Sequence, residues 1–396
     1  MITNKLKTRG VELLGSDCKS FTEEDPFNTQ NVVEGLIGTT NDHRYGALLI
    51  TSINGVSCEQ LIFATPKLKY PFDRSGRYVF PSAQKIEAYT KLDGTNVFMY
   101  RYTAENKVFV SYKTRLRPFL KESRFGSFLE MWSGMLKKYP NISKLFLANP
   151  HLDGFSFELY GSLNKHLISY DVSLDTALLF GITGDAAKVV PSGGLDSLGV
   201  PTADLENKIT KNYVWEYESA QDKIEEDLEE TEDGFKGQEG QVWYIQTHDG
   251  LWSMFKLKPH TIENIHWASG GIPRLVIKAT AYNTLETESD ITKKAVVALL
   301  LEEFSQEQIN SSTIRIENVV SEIAEELVFR ERVGIALGMI IRPNTKIANL
   351  PTLPDVMRKL STHFQKADMK KVYSFACALL EQQVGKEEFN EYRLVK

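Results

Sequence analysis

The chain has 396 residues, 42% hydrophobic and 25% charged, a composition that supports two or three packed cores and excludes a largely disordered chain. Lys and Arg total 46 against 52 Asp and Glu, a net charge of -6, so no overall basic field draws in nucleic acid and any such contact must be local. The 3 cysteines, Cys18, Cys58 and Cys377, stand far apart and the 7 histidines are scattered, which excludes a disulfide scaffold and a structural zinc site.

The first ten residues lack the apolar stretch of a secretory signal, and no apolar run reaches the roughly 18 residues of a membrane span, so a soluble, cytoplasmic protein is expected. From Tyr45 to Phe157, β-branched and aromatic runs broken by Gly, Asn, Asp and Pro predict strands at 46–53, 59–64, 85–90, 96–103 and 107–111, with one helix near 128–139. Asn54-Gly55 predicts a hairpin turn, because both central residues of that turn need positive φ. Further strands are expected at 154–160, 167–170, 177–182, 240–246 and 251–257, the last two joined by a turn at His248-Asp249-Gly250. The acidic stretch from Trp215 to Asp233 reads as a solvated helix face or loop. After Pro259 apolar residues recur three and four apart in 291–304, 314–340, 356–364 and 369–384, the pattern of a helical domain with nearly balanced charge.

The chain contains no Gly-x4-Gly-Lys-Ser/Thr loop, no Gly-x-Gly-x-x-Gly, no His-Glu-x-x-His and no Gly-x-Ser-x-Gly, which removes sequence support for P-loop, dinucleotide, zincin and serine-hydrolase chemistry. An ordered set remains: Lys91-Leu92-Asp93-Gly94 between two strands, Glu158 in Phe157-Glu158-Leu159-Tyr160-Gly161, Glu239 at a strand start, and Lys256 and Lys258 in Phe255-Lys256-Leu257-Lys258-Pro259. Lys256 and Lys258 lie two residues apart, so both ammonium groups fall on one side of a strand, an arrangement that calls for an anion. One lysine among other cations and several carboxylates suggests a site for a polyphosphate and its magnesium. A lysine amine is nucleophilic when neutral, and carboxylates suit hard Mg²⁺, mostly through retained waters. A second local signal is Lys113, Arg115, Arg117, Lys121 and Arg124 interleaved with Tyr112, Phe119 and Phe125, a mixture suited to single-stranded nucleic acid.

This set resembles the covalent nucleotidyltransferase superfamily of ATP-dependent polynucleotide ligases and mRNA capping enzymes, and within it the phage RNA ligases that repair cleaved tRNA. The likeness covers about Arg44 to Pro259. It implies an α+β protein: an ATP-grasp-like nucleotidyltransferase domain of twisted antiparallel sheets over residues 1–260, then an all-α C-terminal domain over 261–396. It also implies that Lys91 is the adenylated nucleophile, that Asp93 orients the metal's water shell, that Glu158 holds the ribose, and that Glu239 holds the waters of the catalytic Mg²⁺, for which Mn²⁺ can substitute. Val242 would pack against adenine, Phe180 would stack on it, Lys256 and Lys258 would contact the α-phosphate, and Lys69, in Ala64-Thr65-Pro66-Lys67-Leu68-Lys69-Tyr70, would hold the outgoing pyrophosphate. Lys113 matches a basic residue on the strand after the nucleophile. The family's upstream arginine falls opposite Tyr45, with Arg44 one residue earlier, and Thr95-Asn96 is more similar to the RNA-editing and nick-sealing branch.

The implied reaction joins RNA ends carrying a 5′-phosphate and a 3′-hydroxyl, tRNA among them, through a lysyl-adenylate and an adenylated RNA 5′ end, in the host cytoplasm if the chain is phage-encoded. The other readings are an ATP-dependent DNA ligase, a GTP-dependent capping guanylyltransferase, or a nucleotide- or RNA-binding scaffold without turnover. DNA ligases and capping enzymes follow the lysine domain with a small β-barrel, so helical periodicity after Pro259 favours RNA ligase.

Overall fold

The computed structural model describes residues 4–15, 18–40, 42–66, 68–73, 77–121, 127–164, 166–184, 188–231, 234–259, 261, 272, 274–286, 288–301, 304, 306–342, 350–384, 389–390 and 392–393. Among them the chain is mixed α+β, with antiparallel sheets followed by a helical C-terminal region. An N-terminal helix α1 (Asn4–Leu14) precedes four strands, β1 (Cys18–Glu24), β2 (Val32–Gly38), β3 (Leu48–Ile53) and β4 (Val56–Ile62), which form one sheet in sequential order. The Asn54-Gly55 turn closes the β3–β4 hairpin with φ of 53° and 77°, as its sequence demands.

Two further sheets carry most of the core. One has the order β10-β9-β8-β6-β7, built from β6 (Thr95–Ala104), β7 (Lys107–Lys113), β8 (Gly154–Tyr160), β9 (Asp175–Thr183) and β10 (Lys188–Pro191). The other has the order β11-β5-β14-β15, built from β5 (Ala83–Lys91), β11 (Leu205–Ile209), β14 (Gly240–Thr247) and β15 (Trp252–Leu257). The segment at 167–170 departs from the strand expected there, with Ile168 making an isolated bridge to Phe235. Its backbone bonds to Phe235, which receives the Ser169 N–H at 2.7 Å and donates to Leu167 O at 2.8 Å.

Apolar faces explain the layering. The five-stranded sheet packs Val97, Met99, Phe155, Phe157 and Leu159 against α2 (Phe128–Lys138), whose buried Met131, Trp132 and Met135 lie on one helical face. Ser127 caps α2 by accepting the Glu130 N–H. The β5–β14 sheet buries Ile86, Ala88, Trp243 and Ile245 against α4 (Tyr213–Glu226), and the acidic run begins on this helix and reaches Glu229 and Glu230 of the small hairpin β12 (Glu229–Thr231) and β13 (Gly234–Lys236). Between α2 and α4 in the sequence lies the short helix α3 (Leu145–Ala148).

The C-terminal helices are α5 (Arg274–Asn283), α6 (Lys293–Leu300), α7 (Gln306–Ile340), α8 (Leu353–Leu360) and α9 (Met369–Val384). They enclose two apolar cores, one at the N-terminal half of α7 with α5 and α6, the other at its C-terminal half with α8 and α9. The expected division at residue 260 lies in a stretch, 260 and 262–271, outside the described residues.

Candidate active site

The Lys91-Leu92-Asp93-Gly94 motif lies where β5 meets β14. Lys91, the last residue of β5, is opposite Gly240, the first of β14, which sets Glu239 beside it. Gly240 has φ of 154°, and a Cβ there would approach the Leu257 carbonyl oxygen to 1.9 Å, so glycine permits β14 and β15 to close around this acid. Glu239 is 3% exposed and binds Lys91 Nζ with one oxygen and Lys258 Nζ with the other, the latter at 3.0 Å. Burial works against its charge, but Lys91 and Lys258 outweigh burial and bring its pKa down to about 2. Lys256 lies on the same side, its ammonium 4.4 Å from the Tyr70 ring centroid, and its N–H donates to Lys69 O at 2.8 Å.

Asp93 is buried and used locally. Its Oδ2 accepts the Ile168 N–H at 2.6 Å while its own N–H donates to Tyr170 Oη at 2.7 Å, tying the loop after Lys91 to the 166–170 segment. Burial, reinforced by Glu239, pushes its pKa up to about 7 against the pull of Lys91. Gly94 lets the loop pass under β8, since a Cβ there would come within 2.2 Å of Leu159 O. Glu158, opposite Asn96 on β8, is pushed up to about 8 by burial, with Lys91 the main opposing charge.

These groups line one cavity of about 320 Å³. Its apolar end is made by Tyr89, Leu179, Phe180, Ala203, Val242 and Tyr244, with Val242 opposite Tyr89 in the ladder and Phe180 edge-on to Tyr244 at 6.2 Å. The polar end holds Lys91, Asp93, Glu158, Glu239, Lys256 and Lys258, so the arrangement suits a ligand with a flat apolar part and an anionic part. Among the described residues no three His, Cys, Asp or Glu side chains converge as a metal site. Asp93 is engaged by the Ile168 N–H, and Glu239 by Lys91 and Lys258.

Other expected residues lie elsewhere. Lys113 is fully buried and its Nζ donates to the carbonyls of Gly46, Thr114 and Arg115 at 2.8–3.0 Å, which uses its three protons within the fold. Arg44 is paired with Asp42 at 2.6 Å, and Lys69 is exposed beside Phe255; neither is among the cavity-lining residues. The basic and aromatic cluster is dispersed: Tyr112 and Phe119 are core, Lys121 pairs with Glu23 at 2.8 Å, and Arg124 and Phe125 lie outside the described residues. Arg115 does line the cavity, as do His166, Asn283 and Glu286, none of which the motifs indicated as part of this site. His166 is buried, held neutral by burial at a pKa of about 4, with Nε2 3.3 Å from Thr95 Oγ1.

Neither protein-family profiles nor curated proteins give a match to this chain. Among solved structures it is similar to an archaeal ATP-dependent RNA ligase, with 13% identity, a TM-score of 0.45, and 87% of this chain aligned to 84% of that one. A protein of Aquifex aeolicus assigned as an ATP-dependent DNA ligase gives 12% identity and a TM-score of 0.40, over 97% of this chain and all of that one. A Naegleria gruberi RNA ligase with pyrophosphate gives 17% identity and a TM-score of 0.32, over 47% of this chain and 52% of that one.

Proposed function

We propose that the chain is an ATP-dependent RNA ligase that works through a lysyl-adenylate. The observation that carries this reading is Lys91: its amine touches Glu239 beside Lys258 at the polar end of a cavity whose other end is lined by Tyr89, Phe180, Val242 and Tyr244. Adenine occupies the apolar end and Glu158 receives the ribose hydroxyls. ATP brings its own magnesium as the counter-ion of its phosphates.

In the first step Lys91 Nζ attacks the α-phosphorus. Lys91 acts as the neutral amine: an N–P bond forms, the P–O bond to pyrophosphate breaks, and the proton the nitrogen sheds leaves with the pyrophosphate or to water, while Glu239 holds the nitrogen in line. Lys256 and Lys258 neutralise the charge that builds on the α-phosphate. In the second step an RNA 5′-phosphate oxygen attacks the same phosphorus and frees Lys91, and in the third a 3′-hydroxyl displaces AMP. Positioning and charge neutralisation supply the catalysis, as in phosphoryl transfer generally. Residues 1–260 would act as the transferase unit, with 261–396 as the helical one.

The test is incubation with α-labelled ATP or GTP and magnesium followed by denaturing electrophoresis, comparing the wild type with Lys91→Ala. Label from ATP, lost in the variant, is expected. Label from GTP alone would move the assignment to capping. No label from either, in protein shown by mass to be unmodified, would sink the covalent mechanism in favour of a binding scaffold. Sealing of 5′-phosphorylated RNA ends, cleaved tRNA first, against nicked DNA then decides the polynucleotide.

A further inference from the structure

A second cavity, of about 290 Å³, opens where the helical region meets the five-stranded sheet and its helix. Phe128 of α2 and Tyr170 wall it on one side, and Tyr282 of α5, Arg330 of α7 and Phe375 of α9 on the other. None of these five residues lines the first cavity. The two cavities nonetheless draw on one segment, since His166 lines the first and Asn164 and Tyr170 line the second. Tyr170 Oη accepts the Asp93 N–H at 2.7 Å and Asn164 Oδ1 accepts Thr95 Oγ1 at 3.2 Å, so this wall also holds the loop after Lys91.

Three rings and one guanidinium set the chemistry of the second cavity. Tyr170, Tyr282 and Phe375 are each partly exposed and offer flat apolar surface of the kind on which bases stack. Arg330 has no bonded counter-ion among the described residues: Glu326, one turn earlier on α7, and Tyr282 act on it only at a distance, and burial outweighs them. A cation drawn out of water without a bonded acceptor is costly, so the cavity is built to receive an anion. Glu326 lines it too, and its carboxylate is left to accept N–H donors, which the edge of a base supplies.

We propose that this cavity is a second nucleotide site, in which Arg330 holds the phosphate of a nucleoside monophosphate and the rings of Tyr170, Tyr282 and Phe375 hold its base. A guanidinium grips a phosphate through two parallel hydrogen bonds, and a single one serves a single phosphate. The occupant is therefore one nucleotide, free or at the end of a strand. Its room is close to the 320 Å³ of the first cavity. The site goes beyond the ATP reading and uses none of the residues that reading engages.

Photolabelling of the full chain with 8-azido-AMP, with adducts located by peptide mass, tests this. Adducts are expected in two sets, one around Tyr89, Phe180 and Tyr244 in the first cavity and one around Tyr170, Tyr282 and Phe375 in the second. Arg330→Ala should lower the second set on the order of tenfold at subsaturating probe, with the first set as internal control. 8-Azidoadenosine, which lacks the phosphate, should label the second set equally in both proteins. No second set in the wild type, or an equally strong one in Arg330→Ala, overturns the proposal. Should Arg330→Ala fail to fold, Ser374→Trp, at an exposed position of α9 on the cavity rim, fills the space and should erase the second set; its persistence overturns the site. Competition then identifies the source. Suppression of the second set by AMP but not by a 5′-phosphorylated RNA oligonucleotide marks a free nucleotide, suppression by both marks a strand end, and suppression by neither overturns the proposal. Wild-type protein labelled at the second set and not at the first would instead remove the ATP reading and leave this site standing.

Discussion

Four acids share one cavity, and their environments drive them apart. Glu239, paired with two ammonium groups, is held at about 2, whereas burial lifts Asp93 and Glu286 to about 7 and Glu158 to about 8. For a carboxyl raised above its solution value, the folded chain keeps a proton that the unfolded chain gives up. Its contribution to stability is complete below the unfolded value of 4.5 for Glu158 and is lost as pH rises towards 8. The melting temperature of the nucleotide-free protein should therefore fall between pH 5.5 and 8.5. Glu158→Gln removes one titrating group, so its curve should be flatter and lie on the order of 2–5 °C above wild type at the alkaline end. Labelling by ATP should drop in the same variant if Glu158 meets the ribose, a gain in stability bought with function. Thermal melts across that pH range decide it, and parallel curves would mean that Glu158 titrates alike in folded and unfolded chains.

At the scale of single elements, the turn after β7 is the least replaceable piece of the cavity wall. Lys113 fills three carbonyl acceptors from inside the fold, and Lys113→Met leaves all three buried without a donor. Such a loss should cost about 2–4 kcal/mol, seen as a lower urea midpoint. An unchanged midpoint would show that water replaces the ammonium without penalty. The sequence made the position of Lys113 visible and its use illegible, since a lysine after a β-branched strand reads the same whether its ammonium faces a ligand or three carbonyls. Interior strands such as β6 and β8 were legible because short apolar and aromatic runs lie between well-marked turns, and β8 falls on the bounds expected. The edge strands β1 and β11 gave no such signal: they are polar and largely exposed, so hydrogen bonding to a neighbour defines them and no apolar pattern does. Lys91, Glu158, Glu239 and Lys258, which motif order groups in the sequence, line the same cavity because the ladders bring their strands to it.

At the scale of the whole molecule, the helical region closes the site from one side. Thr280, Asn283, Glu286, Leu299, Leu300 and Phe304 line the cavity, a contact across the chain that local periodicity cannot reveal. The apolar cores are nearly separate, however: the two helical cores involve residues after 271, and Leu285 and Ala378 are the helical side chains that pack on the core behind the five-stranded sheet. A chain ending at Pro259 should thus keep its sheets while opening the polar end of the cavity to water. Electrostatic contacts weaken in that higher dielectric, so labelling by ATP should fall by at least about tenfold while the far-ultraviolet dichroism keeps its strand signature. Undiminished labelling in a folded truncation would mean that the helical wall is idle in the first step and serves the polynucleotide alone. The nearly balanced charge of that region argues for the first outcome: a surface without excess cations gives RNA phosphates little to hold, while a wall supplying Asn283, Glu286 and three apolar side chains gives an enclosed nucleotide much.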